Sequence, residues 1–230
     1  LLQRIQEEQL PCVLCINKID TVEKKESLLE VIAAYNEVYG GFDAIIPLSA
    51  RTGDGLGELL RQLEKAKQYI FLEYFIIDEG LMWGRVLEVL ARKAAEGVHV
   101  RVMYDGTCEF TTLPRDYPKR LERLGIACKV FSPLMPFVST HYNYRDHRKV
   151  LVIDGKVGFT GGVNLADEYI NHVEKYGRWK DAAVMLEGEG VRSMTALFLQ
   201  MWSVLQEPEF EQFLRPEVPA ARAEGFVVPY

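Results

Sequence analysis

From Tyr69 to Ile77 the chain is apolar at almost every position, a pattern that suits a strand covered on both faces. Glu73 interrupts the run. A carboxylate there is costly unless paired, so it is either a satisfied buried group or a partner supporting a site from behind. Around this strand, apolar positions change period repeatedly. Leu81, Val86, Val89 and Leu90 fall at helical spacing and predict a helix over 81–95, ended at Gly97. His99 to Tyr104 reads as a strand with His99 at its surface, Pro114 to Leu124 as a short basic helix, and Ala127 to Phe131 as another strand. Val150–Ile153 and Val157–Thr160 flank Asp154-Gly155, a turn dipeptide that favours a two-residue hairpin. Thr195 to Leu205 predicts an amphipathic helix with Phe198, Met201 and Trp202 in the core. Strands alternating with helices in this way predict a mixed α/β sandwich.

The first third has its own alternation. Leu1 to Leu10 reads as the end of a helix broken by Pro11, and Cys12 to Ile16 as a buried strand. Thr21 to Tyr39 is an amphipathic helix with Leu28, Leu29, Ile32 and Tyr35 on its apolar side, ended by Gly40-Gly41. Ala44 to Leu48 is a second strand, and a helix from Gly55 to Lys67 follows. One stretch fits no period: Phe131 to Val138 is an apolar loop with two prolines, serving either as core cover or as a seat for acyl chains or a membrane interface.

Composition adds bounds. The 230 residues are 48% hydrophobic and 26% charged, an ordinary globular balance. A net charge of −6 argues against a general nucleic-acid binder, although Arg145, His147, Arg148 and Lys149 make a local basic segment. No apolar run approaches the length of a bilayer span, and the start lacks the pattern of a signal peptide. A start at Leu1 and an apolar end at Phe226–Tyr230 read as cuts. Cys12 and Cys15 form a C-x-x-C pair without a second pair. Cys108 and Cys128 lie far apart, so core packing is expected rather than a metal site, in a reducing compartment.

The chemistry concentrates between His147 and Asn164. Strand alternation puts His147 and Lys149 on one face. Asp154 occupies the hairpin turn, Gly161 and Gly162 would let backbone approach a bound group, and Asn164 follows as a donor and as a cap for a helix over Leu165–Ile170. An imidazole, an ammonium, a carboxamide and a carboxylate suit phosphoryl transfer without a metal or other cofactor. The imidazole attacks phosphorus, Lys149 and Asn164 neutralise non-bridging oxygens, and a carboxylate orients the ring.

The spacing H-x-K-x4-D-x6-G-G-x-N, filled by His147, Lys149, Asp154, Gly161, Gly162 and Asn164, resembles the signature of the phospholipase D (PLD) superfamily. The likeness extends from about Glu64 to Tyr230 and is to the first half of a bacterial cardiolipin synthase. It is carried by Tyr69–Asp78, Val102–Gly106, Arg145–Lys149, Phe159–Ile170 and Gly177–Asp181. The resemblance implies a PLD-like α/β sandwich in which two motifs, one from each half, build one active site; this chain has one. It implies a phosphatidyl group passed between phosphatidylglycerol molecules through a phosphohistidine. His147 would be nucleophile or general acid, Lys149 and Asn164 would hold the phosphate, and Asp154 would support the site. The implied partners are a phospholipid, a second PLD-type half or second copy, and the cytoplasmic face of a bacterial inner membrane. A lone monomer would be nearly inert. A single-motif phosphodiesterase or nuclease that pairs two copies is the alternative.

Asn17-Lys18-x-Asp20 and Ser49-Ala50, each after a strand, resemble the guanine-recognition motifs of an Era-type GTPase, over Pro11 to about Leu63. By that resemblance Asp20 would bind the guanine edge, Asn17 would brace the loop, Lys18 would lie along the ring and Ala50 would offer its amide. No G-x-x-x-x-G-K-[ST] occurs, so nothing would cradle the phosphates. The expected organisation is a partial P-loop-GTPase-like fragment over residues 1–63 and a single PLD-type domain over 64–230. The fragment would be retained without its ligand, or as a non-catalytic guanine-nucleotide-binding module. A join inside a predicted helix, with no linker, suggests a recombined, misassembled or engineered chain.

Overall fold

A computed structural model describes residues 13–16, 26–40, 44–47, 54–133, 145–204, 207 and 209–214. Its centre is a mixed sheet of six strands in the order β5-β4-β3-β6-β7-β8. These are β3 (Tyr69–Tyr74), β4 (His99–Asp105), β5 (Ala127–Phe131), β6 (Lys149–Ile153), β7 (Val157–Gly161) and β8 (Ala183–Glu187). β3, β4 and β5 run parallel, joined by helical crossovers, while β6 lies antiparallel to β3 and opens an antiparallel meander through β7 and β8.

Both faces of this sheet are covered, which is why β3 and β6 are apolar nearly throughout. Under one face Ile70, Leu72, Leu151 and Ile153 pack with Trp83, Val86 and Leu90 of α3 (Leu81–Ala95) and with Tyr117 and Leu121 of α5 (Tyr117–Arg123). On the other, Tyr69, Phe71, Val150 and Val152 meet Met194, Phe198 and Trp202 of α6 (Val191–Trp202) and Phe213 of α7 (Phe210–Phe213). The expected core role of Phe198 and Trp202 is what their burial shows. A short α4 (Cys108–Thr111) follows β4.

At the front, β1 (Val13–Ile16) and β2 (Ala44–Pro47) pair in parallel, with α1 (Glu26–Val38) between them in the sequence. Of the apolar side expected for α1, Leu29 is 66% and Tyr35 43% exposed, and Ile32 is half-buried. The next helix, α2 (Asp54–Glu64), packs elsewhere. Its Leu59 and Leu63, with Ala66 just beyond, are buried in the core shared with α3, and Glu64 pairs with Arg92. The seam expected at 63–67 thus falls where α2 is already seated on the larger sheet.

Two local expectations change. Residues 165–170 do not form an α-helix capped by Asn164; a 3-10 turn spans Asp167–Ile170 with Ala166 at its start. Asp167 is drawn away from its own turn, because its carboxylate accepts the amides of Leu81 (2.9 Å) and Met82 (2.8 Å) and so caps α3. β8 gives no strand signal because it lies at the sheet edge with no fully buried residue: Ala183 and Glu187 are exposed and the three residues between them half-buried.

Candidate active site

β6 begins at Lys149, and its register opposite Tyr74 of β3 brings the end of β3 beside the basic segment that precedes it. His147 is exposed, its ring 4.8 Å from that of Phe75. Lys149 is only 4% exposed; its stem is buried and its Nζ reaches back along the strand. Nζ lies 3.0 Å from His147 Nε2, 2.6 Å from the His147 carbonyl oxygen and 5.4 Å from the centre of the Phe75 ring. An ammonium has only donors, so Nε2 is the accepting nitrogen and the ring proton of a neutral His147 resides on Nδ1. The single lone pair of Nε2 is thus engaged by the Lys149 ammonium, which has to turn away before Nε2 can bond another atom. Burial pulls the Lys149 pKa down, opposed by Asp181 and Asp146 nearby.

Asn164 is buried at the same end of the sheet. Its Oδ1 accepts the amide of Ile76 at 2.9 Å, and its Nδ2 donates to the Tyr169 hydroxyl at 2.7 Å. Ile76 follows Phe75, so the carboxamide is tied one residue from the ring that contacts both His147 and Lys149. Tyr169 leans on Trp179, whose backbone is bracketed by the side chain of Asn171.

The structure separates the remaining motif residues from the ring. Asp154 sits in the hairpin at the opposite end of β6 from His147. Its Oδ1 accepts the amides of Gln68 (2.7 Å) and Tyr69 (2.9 Å), and its Oδ2 that of Lys67 (2.8 Å). The expectation that this carboxylate orients the imidazole is corrected: among the described residues, every hydrogen bond it accepts ties the start of β3. Asp154 and Gly155 both take positive φ (53° and 65°), but the hairpin loop has three residues rather than the expected two, because Ile153 pairs with Val157 and Lys156 is left between the strands. The two glycines of the motif also approach the chain itself. A Cβ on Gly161 would collide with the backbone of Ala182, and one on Gly162 with the carboxylate of Asp181.

Besides Asp146, Asp181 is a carboxylate that stands near the site. It lies over Gly162 and favours the charged form of Lys149. The sequence placed it in a family-like run without giving it a task. Glu73 is buried on the opposite face of the sheet from Lys149, against Asp146 and Arg148, the two neighbours of His147. Phe75, Asp146 and Tyr169 carry no signal in the sequence, and Arg148 reads there only as part of a basic segment, since their roles depend on contacts between β3, β6 and the 167–170 turn. Asn17, Lys18, Asp20, Ser49 and Ala50 lie outside the described residues. Among the described residues no helix is long and apolar enough to cross a membrane.

Comparison with known proteins bears on the fold and the family. An uncharacterized protein of Streptococcus mutans is 62% identical over 174 residues, covering 75% of this chain and 38% of its own length. A cardiolipin synthase of Geobacillus thermodenitrificans is 41% identical over 157 residues, 68% of this chain and 30% of that protein. The chain thus spans between three and four tenths of these relatives. Among solved structures, NucT from Helicobacter pylori shares the fold with TM-score 0.51 at 14% identity, over 66% of this chain and 89% of that one. Phosphatidylserine synthase of Haemophilus influenzae does so with TM-score 0.50 at 14% identity, over 71% of this chain and 40% of that one. The model of the cardiolipin synthase PLD-like domain matches residues 59–202, which hold α3 and all six strands of the large sheet together with His147, Lys149 and Asn164, and the chain belongs to that family.

Proposed function

We propose that this chain supplies one half of a metal-independent phosphatidyl-transfer site of the cardiolipin synthase type, acting on phosphatidylglycerol. The observation that carries the reading is the 3.0 Å approach of Lys149 Nζ to His147 Nε2. It supports a nitrogen nucleophile already beside the cation that would neutralise a phosphoryl oxygen. In the first step Lys149 turns from Nε2 to a non-bridging oxygen, and the freed Nε2 forms a bond to phosphorus while the bond from phosphorus to the leaving glycerol oxygen breaks. That oxygen takes a proton from an acid on the partner half. In the second step the hydroxyl of another phosphatidylglycerol loses its proton to the same group, bonds phosphorus and releases His147. Lys149 and the remaining amide hydrogen of Asn164 hold non-bridging oxygens. His147 could equally serve as the acid, with the partner's histidine as nucleophile, since the two-step scheme is symmetric in the pair.

The partner is a second PLD-type half or a second copy of this chain, working at the cytoplasmic face of the membrane that holds the lipid. A two-copy phosphodiesterase is the second reading. It is favoured by the 89% coverage of the NucT chain, which is about the size of this one domain. The net charge of −6 weighs against a nucleic-acid substrate for it.

The test is phosphatidylglycerol turnover in mixed micelles, measured with the solution mass, for the chain and for His147→Ala. Turnover from a dimer that vanishes in the variant supports a shared site built from two copies. A well-folded monomer without turnover assigns the function to a longer protein. Turnover that survives His147→Ala overturns the reading.

A further inference from the structure

Beneath the exposed imidazole, on the other side of the sheet, lies an acid pair that the proposed chemistry does not use. Glu73 is 2% exposed, central in β3, opposite Val150 of β6 and beside Met103 of β4. Among the described residues neither of its carboxyl oxygens accepts a hydrogen bond. Arg148 Nε is 3.0 Å from Glu73 Oε1, yet its hydrogen is directed to Asp146 Oδ1 at 2.8 Å. Asp146 also receives the second nitrogen of that guanidinium at 3.3 Å and the Arg148 amide at 3.2 Å. An ionised Glu73 would be a buried charge facing a second carboxylate, with one cation already engaged by its neighbour. A proton on Glu73 resolves this, because a carboxylic acid donates to the carboxylate beside it.

The other charged groups on this face are committed elsewhere: Asp105, two residues beyond Met103 on β4, pairs with Arg145 at 3.3 Å and accepts the amide and hydroxyl of Thr107. Arg101 pairs with Glu209 and lies over Phe71, Trp202 and Phe213, and Lys129 donates to the Trp202 carbonyl at 2.7 Å. α6 contributes Met194, Phe198 and Trp202, all apolar. Asp146 and Arg148 are thus the charged groups that bear on Glu73. Burial and Asp146 together push its pKa up to about 10, and Arg148 opposes them.

We propose that Glu73 is a neutral, hydrogen-bond-donating positioning residue: through Asp146 and Arg148 it clamps the backbone on both sides of His147 and fixes where Nε2 meets Lys149. The inference rests on the reading of His147 as the reacting group, but the state of Glu73 is measurable without turnover. Glu73→Gln keeps a donor of the same shape, whereas Glu73→Met keeps the volume and loses the donor. Infrared difference spectra of the wild-type chain against Glu73→Gln should show a protonated carboxylic acid at neutral pH that disappears in alkali. The imidazole nitrogen resonances of His147, assigned with His147→Ala, should shift in Glu73→Met and stay in place in Glu73→Gln. Where phosphatidylglycerol is turned over, kcat should be about 10²-fold lower in Glu73→Met than in Glu73→Gln, the scale of a small misplacement of a reacting group. KM should be equal in the two variants, and Glu73→Gln should lack the alkaline loss of the wild type. Absence of the acid band, or identical His147 resonances in the two variants, overturns the proposal. Failure of turnover alone, with band and shifts as expected, counts against the phosphatidyl-transfer reading and leaves the clamp standing.

Discussion

Lys149 Nζ points at Nε2 of His147, its neighbour two residues back on the same strand face, from a position that water barely reaches. A buried ammonium is an electrostatic burden on the fold, so its retention there has to be repaid in function. Lys149→Met should raise thermal stability by about 1 kcal/mol, or about 2–4 °C in Tm for a chain of this size. On the proposed reading it should lower phosphatidylglycerol turnover by about 10²- to 10³-fold. Differential scanning calorimetry and a micelle assay on one preparation check both; a variant that is less stable and still active contradicts the assignment.

Asp154 should behave in the opposite way. Its three accepted amides make Asp154→Ala destabilising by about 2 to 4 kcal/mol in urea denaturation. The fraction that remains folded should turn over substrate at the wild-type rate. A large loss of kcat in fully folded protein would mean that the hairpin reaches the site after all.

Gly162→Ala tests the carboxylate near Lys149. The added Cβ would strike the carboxylate end of Asp181, a flexible group that can swing aside, so folding should survive. Displacing the counter-charge of Lys149 should reduce kcat about 10- to 10²-fold with little change in Tm. Equal kcat in wild type and variant would show that Asp181 has no part in the site.

The protonation of Glu73 should also appear in pH-dependent stability. Its pKa is raised from 4.5 to about 10 in the folded chain, so the folded state binds the proton more tightly than the unfolded state. This contribution is fully present below the unfolded value, declines as pH rises and is lost once pH passes the folded value. Between about pH 5 and pH 10, wild-type Tm should therefore fall relative to that of Glu73→Gln, which cannot titrate. Parallel curves would mean that Glu73 is ionised in the fold.

Much of the large domain is legible in the sequence because its local signals agree. The apolar run at Tyr69, the helical spacing of Val86, Val89 and Leu90, and the Asp154-Gly155 turn each specify their own element, and each element forms. The pair His147 and Lys149 is legible for the same reason, since a period of two puts both side chains on one face. The partners of those side chains are not. Asp154 looks like part of the site because it shares the motif, and only the antiparallel pairing of β3 with β6 reveals that it serves the amides of Lys67, Gln68 and Tyr69. Phe75 becomes the floor under His147 through register, and Asp181 comes to lie over Gly162, near Lys149, through the close approach of β7 to β8. The apolar side of α1 shows the reverse case, a clear helical period whose Leu29 and Tyr35 find no cover among the described residues.

β6 carries a reacting group at one end and a structural tie at the other, and this turns the spacing of the motif into a ruler. Five residues of strand hold the two ends about 17 Å apart at about 3.3 Å per residue. Inserting or deleting one residue between Lys149 and Asp154 would alter that length little. It would nevertheless rotate one end by half a pleat: with Asp154 still bound to β3, His147 and Lys149 would turn toward α6, and Arg148 would come out on the reactive face. The interval between lysine and aspartate is thus a constraint of parity, which even a conservative change of length would break.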